Sequence, residues 1–230
     1  MRAFTRLTGL LAATALIAGA ANAQTCLGYS SLDAAHTNLT GAIGFMASPS
    51  QDGTSLNAQL NNRFQAWGHK DFFGIQIGTN SYDSPINRSS TRIAGSIGVE
   101  NRTPSQVEWC PAASLGYESG PGADLSTWQI GAGVGIAKAM SSNGTFALVP
   151  FGSLGLSHIR TSLDNCVGGL SCNTSQTAGV FTAGLGFRFN NGAQISPDLT
   201  FTTFDNSDPM FAVGVTFPLG GTRSAPPRRR

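Results

Sequence analysis

Charge is scarce in this chain. Asp, Glu, Lys and Arg make up 11% of its 230 residues, against about 25% in typical soluble domains. Beyond residue 23 no apolar run approaches the ~20 residues that a membrane helix requires. No stretch repeats at helical spacing either, so helix bundles and helical membrane proteins are excluded. Nor is the formal net charge of +2 a sign of nucleic-acid binding. Setting aside Arg2, Arg6 and the tail arginines 223 and 228–230 leaves eight basic residues against twelve acidic ones. The body is thus about −4 and carries no basic footprint. Histidines number three, and His36 and His69 form no metal-ligand spacing with anything. No metal and no cofactor is implied.

Glycine is abundant, at 29 residues, and side chains alternate with a period of two. Alternation and turn residues mark ten strands, near 38–47, 57–68, 72–79, 91–100, 106–118, 127–139, 145–159, 178–189, 193–204 and 210–217. The first and ninth carry the weakest signal, which keeps an eight-stranded alternative in view. Connections alternate in length. "HKD", "NRTPS", "SSNG" and "NNG" are tight; "SPSQDGTSL", "NSYDSPINRSS", "SGPGADLS" and "RTSLDNCVGGLSCNTSQ" are long. "DNSDP" is short and departs from the trend. Up-and-down strands with short turns at one end and longer loops at the other describe a membrane barrel.

The two faces of each strand differ sharply. Ile130, Val134 and Ile136 oppose Gln129, Gly131, Gly133 and Gly135; Phe181, Leu185 and Phe187 oppose Thr182, Gly184, Gly186 and Arg188. In "MFAVGVTF", Phe211, Val213, Val215 and Phe217 oppose Ala212, Gly214 and Thr216. A soluble barrel would bury the bulky face and wet the other. A wetted face of Gly, Ala and Ser weakens its strands, because Gly packs nothing. A concave interior wants such small residues, and bulky apolar groups are at home against acyl chains. The expectation is therefore lipid outside and a narrow lumen inside. Closure follows, since an unpaired backbone group in hydrocarbon costs several kcal/mol.

Residues 1–23 have a basic n-region, an apolar run and an Ala21-Asn22-Ala23 cleavage site, the parts of a secretory signal peptide. The mature chain is expected to begin near Gln24, with 24–36 as an N-terminal segment, 37–217 as the barrel and 218–230 as a disordered basic tail. Pro218 cannot donate to a ladder, so strand pairing is expected to end there. In an exported chain the four cysteines should be oxidised. Three connectivities are open, and the local spacing of Cys166 and Cys172 favours that pair, leaving Cys26 with Cys110.

The signal peptide, the alternating strands, the "NNG" turn and "FAVGVTF" with its final aromatic resemble the small bacterial outer-membrane β-barrel family, which includes opacity-type surface proteins and porin-like barrels. The resemblance covers nearly all of 36–217 as a pattern, without an invariant motif. It implies the bacterial outer membrane, with outer-membrane lipid and the barrel-assembly machinery as partners. It also makes Phe211, Val213, Val215 and Phe217 the terminal-strand assembly signal. Members of the family commonly stop at the aromatic; here "PLGGTRSAPPRRR" follows.

If the bulky face looks outward, Arg63, Arg92, Glu100, Glu108, Glu118, Arg188 and Asp198 point into the lumen. Glu100, Glu108 and Arg188 are expected near the short-turn end, Arg63 and Asp198 at mid-height, Arg92 and Glu118 near the long loops. Such a set either fills the lumen as ion pairs or lines a narrow water path. The expected role is non-catalytic: a structural, surface-exposed barrel or a passive small-solute channel. The alternatives are adhesion to an extracellular ligand through the loops and, less in keeping with the residues, a hydrolase. The hydrolase set would be Ser157, His158, Ser162 and Asp164, adjacent in sequence but without a recognisable signature.

Overall fold

A computed structural model describes residues 39–48, 53–66, 69–82, 88–105, 107–120, 125–140, 146–167, 170–203 and 208–219. The expected signal peptide, the 24–36 segment and the tail beyond 219 lie outside the described residues. Ten strands run β1 Leu39–Ser48, β2 Gly53–Ala66, β3 His69–Tyr82, β4 Arg88–Arg102, β5 Val107–Ser119, β6 Leu125–Lys138, β7 Phe146–Val167, β8 Leu170–Phe189, β9 Gln194–Thr202 and β10 Met210–Pro218. Each pairs antiparallel with its sequence neighbours, and β1 pairs with β10, so the sheet closes into an up-and-down barrel. The described residues contain no helix.

The wall is inverted relative to a soluble protein. Ile77, Ile93, Ile130, Leu154 and Phe181 are among the exposed large apolar side chains, while Asn57, Gln76, Gln129, Gln194 and Thr200 are buried. On β10, Phe211 and Val215 are exposed while Met210 and Thr216 are buried. Bulk on one face of "MFAVGVTF" therefore faces outward, and the small face lines the interior.

One expectation needs correction. The stretch 160–176, expected as a loop, is mostly strand: Arg160 pairs with Ser175, Thr161 with Thr174, Ser162 with Asn173 and Leu163 with Cys172. β7 and β8 thus reach 22 and 20 residues, or roughly 70 Å of strand at about 3.3 Å per residue. An apolar band about 25 Å tall needs only part of that length. β2, β3 and β4 also extend at the same end beyond the stretches marked by alternation. Pro218 is the last residue of β10, as expected. Pro218 stands opposite Thr40, and the Leu219 amide donates to the Leu39 carbonyl at 2.9 Å. Because Leu219 points at β1, Pro218 points toward β9, whose ladder has already ended at Gln194. The missing N–H falls where no partner is needed.

At the same end, the "NNG" turn between β8 and β9 closes with Gly192 at φ 85° and its amide bonded to the Phe189 carbonyl at 2.9 Å. A positive φ is the backbone state that glycine adopts without a Cβ penalty.

Candidate functional site

Among the described residues, buried polar side chains converge in the lumen. Arg92, Glu100, Glu108, Glu118, Arg188 and Asp198 are all buried in the barrel, Arg92 at 1% exposure. Arg63 joins them with a side chain 12% exposed, in an ion pair with Glu100. That pair moves Arg63 from its expected mid-height to the short-turn end, the level of Glu100. The shift follows from β2 beginning at Gly53, which leaves Arg63 near its lower end.

Toward the other rim a second cluster forms. Arg92 stands opposite Glu118 across the β4–β5 ladder. Its guanidinium donates to Gln129 Oε1 at 3.0 Å, and Gln129 Nε2 donates to Ser157 Oγ at 3.0 Å. Ser90 Oγ donates to the Glu118 carboxylate. One polar chain therefore crosses β4, β6 and β7. The guanidinium passes close over a glycine: a Cβ on Gly116 of β5 would touch it at 3.4 Å, and any larger side chain would fill its path. Arg92 lies across Gly116 to meet β6. The same exchange recurs at Gly98, where an added Cβ would strike the Phe72 ring, and at Gly186, where it would meet Gln194 Nε2 at 2.7 Å. Each long inward side chain covers a neighbouring strand's glycine, which is how a narrow barrel fills its interior.

Uncharged groups complete the lining. Thr182 and Thr200 hydroxyls are 2.9 Å apart, Asn57 Nδ2 donates to Ser55 Oγ at 2.8 Å, and Gln194 Nε2 donates to Ser196 Oγ at 2.9 Å. Asp198 accepts from Thr200 and has no cationic partner among the described residues, so mid-height does not hold both signs as expected. Gln59, Asn61, Gln76 and Gln129 are buried on this face as well, Gln129 as alternation on β6 predicts. Which of them touch depends on cross-strand register, which no single strand reveals. Apolar groups also enter the lumen. Val149 and Phe151 pack with Ala137, and Ile159 packs with Ala178 and Val180.

Two members of the hydrolase set, Ser157 and His158, are not brought together. Ser157 is fully buried on the inner face, whereas the adjacent His158 is exposed on the outer face. His158 Nδ1 instead lies 2.8 Å from Thr177 Oγ1. A nucleophile and its base must be within hydrogen-bond reach, and opposite sides of one strand preclude that for Ser157 and His158. The Asp164 side chain lies outside those described. No His, Cys, Asp and Glu grouping fit for a metal occurs among the described residues.

Cys110 faces inward, and Cys110 and Cys172 are both disulfide-bonded. The expected partners, Cys26 and the Cys166 side chain, lie outside the described residues. The terminal-strand residues Phe211, Val213, Val215 and Phe217 share the outer face of β10.

A closed sheet with an apolar outer wall and a polar, side-chain-filled interior is a transmembrane β-barrel. The chain is similar in fold to the β domain of the Bordetella autotransporter BrkA, at 13% identity and a TM-score of 0.45, covering 78% of this chain and 98% of that one. It is similar also to LpxR from Salmonella typhimurium, at 10% identity and a TM-score of 0.40, covering 77% and 99%. A third likeness is to the KdgM porin in complex with disordered oligogalacturonate, at 9% identity and a TM-score of 0.40, covering 79% and 99%. No protein-family model and no curated protein matches the chain. The ten-stranded closure rests on the register of this chain's own strands.

Proposed function

We propose that the protein is an integral barrel of the bacterial outer membrane. Its role is non-catalytic: it holds a filled cylinder in the lipid and presents its long-loop rim at the cell surface. The observation that carries this reading is burial of the inward side chains at both ends and in the middle of the wall. Arg63 with Glu100, Asp198 with Thr200, and Arg92 with Gln129 each cover the lumen through mutual contacts. The separation of Ser157 from His158 supports a non-catalytic role. Assembly would use the terminal strand, with Phe217 as its closing aromatic, recognised by the barrel-assembly machinery after export and removal of residues 1–23.

The test is conductance of the purified, refolded mature chain in planar bilayers. A filled lumen gives no unitary current steps; steady, weakly selective steps favour the passive channel instead. That second reading has its own support in the charges of both signs along the wall. The projecting β7–β8 hairpin favours a surface-binding role at the rim. Replacing its upper part should then remove binding of an extracellular ligand while leaving the barrel folded.

A further inference from the structure

We propose that the outer wall of β5, β6 and β7 near the long-loop rim carries a docking site for lipid headgroup phosphate, centred on Arg160. The inference rests on the reading that the apolar wall lies in a bilayer, and it names what that wall holds at its upper edge.

Three successive register rows change character together. Leu115, Ile130 and His158 share one row; Tyr117, Trp128 and Arg160 share the next; Ser119, Ser126 and Ser162 share the one above. Below them on β7, Leu154 and Leu156 are each 63% exposed. The wall thus passes from apolar, through aromatic and basic, to hydroxyl within three rows. Such a sequence of layers marks the edge of the hydrocarbon, where Trp and Tyr collect. The Tyr117 and Trp128 rings pack with centroids 4.8 Å apart.

Arg160 is exposed beside them and has no hydrogen-bond or ion-pair partner among the described residues. No carboxylate stands in these rows. A guanidinium presents a planar fork of donors that suits phosphate oxygens, and it sits well against aromatic faces. A free phosphate would satisfy only the charge. A phosphate carried on a lipid also lays its acyl chains along Leu154, Leu156 and Ile130. The occupant is therefore lipid phosphate, with its headgroup at Arg160.

The test uses the mature chain folded in phosphatidylcholine vesicles that contain a trace of spin-labelled lipid. Spin-labelled phosphatidic acid should be favoured over spin-labelled phosphatidylcholine roughly fivefold at the one position beside Arg160, read as a smaller excess above one when averaged over the barrel perimeter. Arg160→Gln should bring that ratio most of the way toward one, with heat-modifiable mobility unchanged. Comparison of variant with wild type separates this site from Lys138, an exposed cation at the opposite rim. Wild-type selectivity retained in a folded Arg160→Gln barrel overturns the proposal. So does a wild-type barrel that binds inorganic phosphate, seen as a shift in tryptophan fluorescence, yet shows no headgroup preference. A chain that does not insert into neutral vesicles at all overturns the membrane reading itself, a result distinct from insertion without preference.

Discussion

The lower and upper parts of β7 and β8 share one antiparallel register but not one alphabet of side chains. Pairing runs without a shift from Phe146 opposite Phe189 up to Leu163 opposite Cys172. Below Leu156 the outer face carries Leu154, Phe181 and Leu185; above it come Arg160, Ser162, Asn173, Ser175 and Thr177. The backbone is the same sheet throughout. What changes is the solvent outside it. Apolar alternation therefore records where lipid touches the wall, and a strand continues past that limit wherever pairing and β-branched or hydroxyl side chains sustain it.

Four substitutions would break or sharpen that contrast. The largest effect is expected in the lumen, where solvent is excluded from both regions. Arg63→Met removes one cation from the buried Glu100 carboxylate. Stability should fall by about 3–5 kcal/mol, read as a lower urea midpoint for the barrel in vesicles. Next comes the lipid face: Val213→Arg should lose about 2–4 kcal/mol near the midplane. Unchanged heat-modifiable mobility and an unchanged midpoint would count against an outward Val213. Gly116→Val should lose about 1–3 kcal/mol by overpacking, because Arg92 must leave the space over Gly116 that carries it to Gln129. Smallest is Ser175→Arg in the upper hairpin, where a charge costs about 0–1 kcal/mol. A loss at Ser175 as large as that at Val213 would erase the proposed difference between the two regions.

The same contrast explains what could be read from the chain beforehand. Closure, strand count and the outward face were legible because lipid imposes a strict period of two on residues such as Ile130, Val134 and Ile136. The extensions of β7 and β8 were not, because Thr161, Ser162, Thr174 and Ser175 face no hydrocarbon and carry no such period. The inward charges were legible as a set but not as partners. Arg63 meets Glu100 only through the registers of β2, β3 and β4, and Arg92 reaches Gln129 by crossing Gly116 on the strand between them. His158 and Ser157 show the converse. Neighbours in sequence become opposites across the wall as soon as the strand is recognised as such.

The claim beneath all of this is the direction of the side chains on the wall. Spin labels placed singly from Thr127 to Ile136 on β6 would test it most directly in the folded, vesicle-bound barrel. A period of two is expected, with Trp128, Ile130, Val134 and Ile136 open to oxygen dissolved in the lipid and Thr127, Gln129 and Gly135 shielded from it. Labels at the even positions that are shielded and immobile, with odd positions open to a water-soluble relaxation agent, would contradict it.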